Sequence, residues 1–207
     1  MKRLALLSVL SLFSVNTLAE NNGSAFYGFY FGGELASTKQ EFSIPYSELR
    51  ASDLSGSFEA DGSRGIRLGV VTGYGFDYAA NFVGLAETKL ALSNVKTKNE
   101  LGEVSKEKIA TSLAYLQGYR ITDKLLPYVK VSLDVSTFDV NNDAIYPRNG
   151  VEVVNEGAFG FGFGAGLRYA VTANFNLGVE YHKVTLKGKN DIKIKADTVS
   201  LIGTYRF

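Results

Sequence analysis

The chain has 207 residues, 22 Lys and Arg against 21 Asp and Glu, and a formal net charge of +1. This balance gives no global argument for binding nucleic acid, and the absence of cysteine excludes a disulfide framework and thiolate metal sites. His182 is the only histidine, which excludes a multi-histidine metal site. The sequence therefore predicts neither a cofactor nor a nucleic-acid partner.

The first 19 residues have the features of an export signal. Lys2 and Arg3 give a positive start, an apolar stretch follows over 4–15, and Ala19 supplies the small residue expected at a cleavage site. The apolar stretch is shorter than the about 20 residues that a helix needs to cross a bilayer. We therefore predict a signal peptide over residues 1–19 and one mature domain over residues 20–207.

Eight segments of the mature chain alternate between apolar and polar residues. The clearest is 157–169, where Phe, Ala, Leu and Tyr alternate with Gly and Arg. A period of two over about 10–13 residues fits strands that cross a membrane with a tilt. The predicted strands are 25–38, 64–75, 81–93, 108–120, 126–138, 157–169, 175–186 and 198–207.

The connections between these segments alternate in length. Three are short (75–80, 121–125, 170–174), and four are long and polar (39–63, 94–107, 139–156, 187–195). Outer-membrane barrels have this asymmetry, with short periplasmic turns and longer extracellular loops. The pattern predicts an all-β fold, an eight-stranded antiparallel transmembrane up-and-down β-barrel with both termini in the periplasm. The alternative is a soluble exported barrel that carries a ligand inside.

The stretch from Phe159 to Lys183 resembles the OmpA-type and opacity-type small outer-membrane β-barrels. It combines a Gly/aromatic strand ending in Arg-Tyr, a brief turn, and a strand closing in Glu-Tyr. The resemblance implies a Gram-negative outer membrane, with outer-membrane lipid and lipopolysaccharide as surroundings. It also implies that Tyr205 and Phe207 form the tail read by the barrel-assembly machinery. The family includes structural anchors, adhesins, serum-resistance proteins and lipid A enzymes, so it does not imply one biological role.

Charged residues on the polar faces of the strands are expected inside the barrel, because charge on the lipid face costs about 2–4 kcal/mol at the bilayer midplane. Unpaired charges in a narrow lumen would be costly, so we predict an ion-pair network. Its members are Glu34, Arg67, Glu87, Lys89, Lys130, Asp134, Arg168 and Glu180. We expect one layer of Glu34, Arg67, Lys89 and Asp134, and a lower layer of Lys130, Arg168 and Glu180, although strand stagger decides the partners.

Two interpretations of this lumen stay open. The network either plugs the barrel or lines a small pore of low conductance. The glycines on the inner face of 157–169 are compatible with both, since they make room for long side chains or leave a water-filled cavity.

An enzymatic role has weak support. Lipid A deacylases of this size use a His-x-Ser pair on a strand, whereas the residue two beyond His182 is Val184. The Gly162-Phe-Gly164-Ala-Gly166 run lacks the following helix of a phosphate-binding loop. We therefore predict no catalytic residues.

Two of the long connections have candidate binding features. The segment 187–195 carries four lysines, which suit lipopolysaccharide phosphates or an anionic host polymer, or form a solvated hairpin tip. The segment 39–63 either contacts another protein, such as a host surface or serum protein, or extends the first hairpin. Its six large apolar residues are Phe42, Ile44, Tyr46, Leu49, Leu54 and Phe58. The leading hypothesis is a non-enzymatic surface protein in adhesion, immune evasion or envelope maintenance. The alternatives are a small pore and a lipid A-modifying enzyme.

Overall fold

The computed structural model describes residues 24–45, 57–62, 64–99, 102–141, 153–188 and 192–207. The predicted signal peptide lies outside the described residues. The described residues form ten strands, numbered in chain order: β1 (Gly28–Pro45), β2 (Ser57–Asp61), β3 (Gly65–Asp77), β4 (Phe82–Ser93), β5 (Lys96–Asn99), β6 (Gly102–Tyr119), β7 (Leu125–Asn141), β8 (Val153–Ala170), β9 (Phe175–Lys187) and β10 (Lys193–Arg206). None of the described residues forms a helix long and apolar enough to cross a membrane.

Eight of these strands close into an antiparallel barrel. The order is β1, β3, β4, β6, β7, β8, β9 and β10, and β10 pairs with β1 to complete the ring. Leu35 of β1, for example, lies opposite Leu201 of β10 and Leu68 of β3. The predicted all-β, eight-stranded antiparallel up-and-down barrel is therefore confirmed.

The two short strands extend the barrel wall at one end. β2 pairs with the last residues of β1, and β5 pairs with the first residues of β6. An isolated bridge between Gly62 and Thr97 joins the two hairpins. Much of the predicted loops 39–63 and 94–107 is thus strand. Of the two interpretations of 39–63, the described residues fit an extension of the first hairpin; Tyr46, Leu49 and Leu54 lie outside them.

The barrel has two different ends. Tight turns at 78–81, 120–124 and 171–174 connect strands at what we call the short-turn end, where Phe26 and Arg206 also lie. The extended hairpins stand at the opposite, long-loop end. Strands are longer than predicted mainly there: β7 continues to Asn141, and β8 begins at Val153.

A β-bulge changes the direction of side chains at one predicted boundary. The register between β6 and β7 shifts between Glu107 and Ile109. Both residues would lie on the same face of a regular strand, but Glu107 is fully buried and Ile109 is exposed. The bulge therefore turns Glu107 into the barrel, although the sequence had placed it in a loop.

The outer wall of the barrel is apolar. Val129, Val131, Leu133 and Val135 of β7 are each at least 40 % exposed, and so are Phe159, Phe161 and Phe163 of β8. The residues between them point inward, as the alternation predicts. Such a continuous exposed apolar surface is far larger than the patches of soluble monomers.

Candidate functional site: the barrel lumen

The middle of the lumen holds a connected set of charged side chains. Lys89 Nζ lies 2.9 Å from Glu34 Oε1 and 2.9 Å from Glu180 Oε1. Lys130 Nζ lies 2.8 Å from the same Glu180 oxygen, and Lys89 Nζ lies 3.8 Å from Glu87 Oε1. Every one of these side chains is at least nine-tenths buried.

Arg168 joins this set at its lower edge. Its Nη2 donates to Glu87 Oε2, and its guanidinium lies 5.0 Å from the ring centre of Tyr30 and 5.6 Å from that of Tyr128. The two tyrosine hydroxyls donate to carboxylates, Tyr30 to Glu87 at 2.9 Å and Tyr128 to Glu180 at 2.8 Å. The rings thus lie against the guanidinium while their hydroxyls add one buried hydrogen bond to each acid.

These contacts place six predicted lumen residues in one network: Glu34, Glu87, Lys89, Lys130, Arg168 and Glu180. The arrangement differs from the two expected layers, because Lys89 and Lys130 share Glu180. Partners across a barrel depend on the stagger of its strands, which alternation along a single strand does not encode.

Arg67 lies higher and pairs with a residue that sequence reasoning missed. Its Nε and Nη2 donate to Glu107 Oε2 and Oε1, both at 2.8 Å. Its Nη1 lies 3.4 Å from Thr198 Oγ1, which contacts Thr38 Oγ1 at 2.9 Å. The bulge before Ile109 makes this two-point pair possible.

Asp134 lies apart from the acid–base network and contacts His182. Ser132 Oγ donates to Asp134 Oδ2 at 2.6 Å and lies 2.9 Å from His182 Nε2, which is 3.6 Å from the same Oδ2. Ser132 and Asp134 therefore both lie beside Nε2 of the His182 ring. A catalytic triad needs the nucleophile and the acid at opposite nitrogens of the imidazole, so this trio lacks that geometry.

Two apolar layers enclose the polar middle of the lumen. The lower apolar layer, at the short-turn end, consists of Phe26, Tyr30, Val71, Val83, Leu85, Ala114, Leu116, Leu126, Tyr128, Ala170 and Ile202. The upper apolar layer, at the long-loop end, consists of Phe42, Val104, Phe138, Ala158, Val184, Leu186, Ile192, Ile194 and Ala196. The charged groups are thus separated from bulk water on both sides.

A small cavity of about 40 Å³ remains between these layers. Arg67, Lys89, Asp134 and Glu180 are among the residues that line it. That volume suits a few water molecules bound to polar side chains. Among the described residues, no group of three His, Asp or Glu side chains could hold a metal ion.

Glycines on β8 make the lumen contacts possible. A Cβ on Gly162 would overlap His182 Nε2, Ser132 Oγ and Asp134 Oδ2, and one on Gly166 would overlap the Tyr128 hydroxyl. The inner face of β8 therefore receives side chains from β7 and β9. This accounts for the Gly/aromatic alternation, since the rings of the same strand point outward.

Aromatic side chains form a girdle on the outer wall near the short-turn end. Tyr205 packs edge-on against Phe207 at 5.3 Å between ring centres, and Phe82 against Tyr119 at 5.2 Å. Gln117 is a polar residue on the otherwise apolar face of β6. Its Oε1 accepts hydrogen bonds from the hydroxyls of Tyr78 (2.6 Å) and Tyr115 (2.9 Å). Such a girdle is typical of the interfacial zone of transmembrane barrels.

A family comparison decides the class of protein to which this architecture corresponds. Residues 5–207 match the outer membrane protein beta-barrel domain. The chain belongs to this outer-membrane β-barrel family. Its apolar outer wall is therefore the lipid-facing surface, and the outer membrane is its location.

Solved structures agree with this fold. Neisserial surface protein A, from Neisseria, is 17 % identical, with a TM-score of 0.57 over 87 % of this chain and 97 % of that chain. OprG from Pseudomonas aeruginosa is 19 % identical, with a TM-score of 0.52 over 89 % of this chain and 99 % of that chain. At such identities the likeness concerns the fold alone. No curated protein is significantly similar to the chain.

Proposed function

We propose that the protein is a non-enzymatic outer-membrane barrel whose lumen is closed to ions and whose hairpins act at the cell surface. The observation that carries the proposal is the order of layers inside the barrel: apolar, charged and paired, apolar. Buried ion pairs tie the strands together, and the apolar layers deny ions a hydrated path. The barrel then serves as a rigid support for the long-loop end.

The proposed orientation places both termini in the periplasm and the long-loop end outside the cell. Short periplasmic turns and long extracellular loops support this orientation, because they are the rule among outer-membrane barrels. In this orientation β2, β5 and the outer ends of β1, β6, β7 and β8 rise above the membrane. They carry the loops through which we propose adhesion, immune evasion or envelope maintenance, with host surface or serum proteins as partners.

Planar-bilayer recording of the refolded protein tests the closed lumen. Wild-type protein should give no steady single-channel events. Glu180→Gln should also stay silent, because the apolar layers remain in place. Steady events whose conductance shifts with Glu180→Gln or Lys130→Met would overturn the proposal in favour of a small pore, the alternative suggested by the polar-lined cavity.

A lipid A-modifying enzyme is the second alternative, because Ser132, His182 and Asp134 lie in contact. Their shared use of one ring nitrogen and their position between two apolar layers favour a structural role. Mass spectrometry of lipid A from cells with and without the protein tests this alternative. Unchanged acylation supports the non-enzymatic role, whereas a lost acyl chain would contradict it.

Tyr205 and Phe207 are our candidates for the signal read by the barrel-assembly machinery. Both rings are more than half exposed on the outer wall, where another protein can reach them. Phe207 also contacts Phe29 at 5.9 Å between ring centres, next to the seam where β10 closes onto β1.

A further inference from the structure

The lipid-facing apolar belt is not equally tall around the barrel. On β8, six outward residues lie in an uncharged row: Tyr169, Leu167, Ala165, Phe163, Phe161 and Phe159. On β9, four precede the first charged residue, Lys183: Phe175, Leu177, Val179 and Tyr181. On β10 and the residue after it, Phe207, Tyr205, Gly203, Leu201 and Val199 precede Asp197. The belt is therefore shorter on β9 and β10 than on β8.

The difference in height is large compared with the membrane. With a rise of about 3.3 Å per residue and a tilt of about 40°, the row on β8 spans about 25 Å along the membrane normal, as tall as the usual apolar band. The row on β9 spans only about 15 Å, and the row on β10 spans about 20 Å. Lys183 of β9 lies opposite Phe163 of β8, four residues below Phe159. The first charged residue of β9 therefore lies about 10 Å below the top of the belt on β8.

A row of alternating charges crosses the barrel wall at this lower level. Lys183 of β9 pairs in register with Asp197 of β10, and Asp197 pairs with Lys39 of β1. Lys183 Nζ lies 3.4 Å from Asp197 Oδ1, and the Tyr181 hydroxyl donates to that oxygen at 2.6 Å. A lysine can extend to reach headgroups, but the short Asp197 side chain cannot. The outer wall is therefore polar at the level of Asp197.

Three more lysines stand above this row. Lys187, Lys193 and Lys195 point outward, and Lys187 lies directly opposite Lys193. With Lys39 and Lys183 they form what we call the lysine patch. Within it, Lys39 pairs with Glu41 and Lys183 with Asp197. Among the described residues, the other three lysines form no salt bridge, and Glu41 lies opposite Lys195 in register. Five lysines against these two acids leave the patch with excess positive charge beside the lipid.

We propose that this face of β9, β10 and β1 binds a phosphorylated glycolipid of the outer leaflet, with the lysine patch on its phosphates and the shortened belt against its acyl chains. The proposal rests on the proposed orientation, which places the patch in the outer leaflet. Lysine ammonium groups are well suited to phosphate. Since the acyl chains of such a lipid would lie beside β8, the exposed Phe159, Phe161 and Phe163 rings offer them contact area.

A lipid is favoured over a free anion because of the position of the charges. The patch faces sideways from the barrel wall and continues directly into Tyr181 and Val199, which are 48 % and 53 % exposed. A soluble anion would meet only the upper lysines. A phosphorylated lipid satisfies the lysines and also covers the apolar residues beneath them.

Native mass spectrometry of the full-length refolded protein tests the proposal. The probes are bis-phosphorylated lipid A, the same lipid without phosphates, phosphatidylglycerol and inorganic phosphate. The patch variant carries Lys187→Gln, Lys193→Gln and Lys195→Gln. A matched control, with Lys96→Gln, Lys98→Gln and Lys106→Gln on the β5–β6 hairpin, removes the same charge elsewhere at the same end.

We expect wild type and control to retain phosphorylated lipid A about tenfold better than the patch variant, and to prefer it over the dephosphorylated lipid. Equal retention by the patch and control variants would overturn the proposal, as would equal retention of phosphorylated and dephosphorylated lipid. Binding of inorganic phosphate alone would reassign the patch to a soluble anion and contradict the lipid. Labelling of the patch from the periplasmic side of cells would instead contradict the orientation, and hence the proposed function.

Discussion

Arg67 and Glu107 form a two-point ion pair inside the barrel, with both N···O distances at 2.8 Å. The pair joins β3 to β6 on the inner side of the intervening β4, above the main charge network. Glu107 is fully buried and Arg67 nearly so. Because neither charged group can reach bulk water, each is stabilised mainly by its partner.

Replacing Glu107 should therefore be costly. Glu107→Ala leaves the Arg67 guanidinium buried without its acid, and we expect a loss of about 3–5 kcal/mol in the free energy of unfolding. The neighbouring Lys108→Ala breaks an exposed pair with Asp139 and should cost about 0–1 kcal/mol. Urea titration in lipid vesicles, followed by the shift in gel mobility on heating, measures both. Equal losses in the free energy of unfolding would show that the buried pair contributes no more to stability than the exposed one.

Gly162 should tolerate no side chain. Gly162→Ala places a methyl group against His182, Ser132 and Asp134, and we expect a loss of about 1–3 kcal/mol. Gly157→Ala is the control on the same strand, since a Cβ there has no atom within 4 Å. The same titration compares the two variants. A stable Gly162→Ala protein would mean that the lumen beside β8 is looser than described.

The buried tyrosine hydroxyls should matter more than the exposed ones. Tyr30→Phe leaves Arg168 as the remaining donor to Glu87 Oε2, and we expect a loss of about 1–3 kcal/mol because a buried hydrogen bond to a charged group is removed. Tyr205→Phe, on the outer wall, serves as the control and should be nearly neutral. If both substitutions changed the unfolding midpoint equally, Tyr30 would not be part of the charge network.

The aromatic tail can be tested separately from stability. Phe207→Asp should sharply reduce the amount of folded barrel in cells if the assembly machinery reads this residue. Unaided refolding into vesicles should change little, because a charge near the membrane interface costs only about 0–1 kcal/mol. Normal levels of heat-modifiable barrel in cells would contradict the assigned signal, whereas failure in both assays would indicate a structural role.

Much of the barrel could be predicted because every strand has one face toward lipid and one toward the lumen, so that apolar and polar residues alternate along it. The alternation on β8 predicts the direction of each ring and each glycine. The same alternation in eight segments, together with the lengths of their connections, predicts the closed sheet. The upper apolar layer was missed because Phe42, Phe138 and Ile194 stand among polar residues in segments interpreted as loops or loop borders. Their alternation continues that of the strands, and this signal could have extended them.

The lumen contacts were less accessible from sequence. Glu107 was missed because the bulge in β6 shifts the alternation, so that its side chain points into the lumen. No residue type in the sequence marks that bulge. The sharing of Glu180 by Lys89 and Lys130 follows from the stagger between strands distant in sequence. The contact of His182 with Ser132 and Asp134 depends on β7 and β9 meeting across the glycines of β8.

The most direct test of the account is the accessibility of spin labels along β7 in the reconstituted protein. The chain has no native cysteine, so Val131→Cys, Val135→Cys, Ser132→Cys and Ser136→Cys can each carry one label. We expect strong collision with oxygen dissolved in lipid for the two valine positions, and little collision with either oxygen or a water-soluble nickel chelate for the two serine positions. Strong collision with oxygen at the two serine positions, together with weak collision at the two valine positions, would mean that the serine face of β7 is the one that contacts lipid. That result would contradict the account.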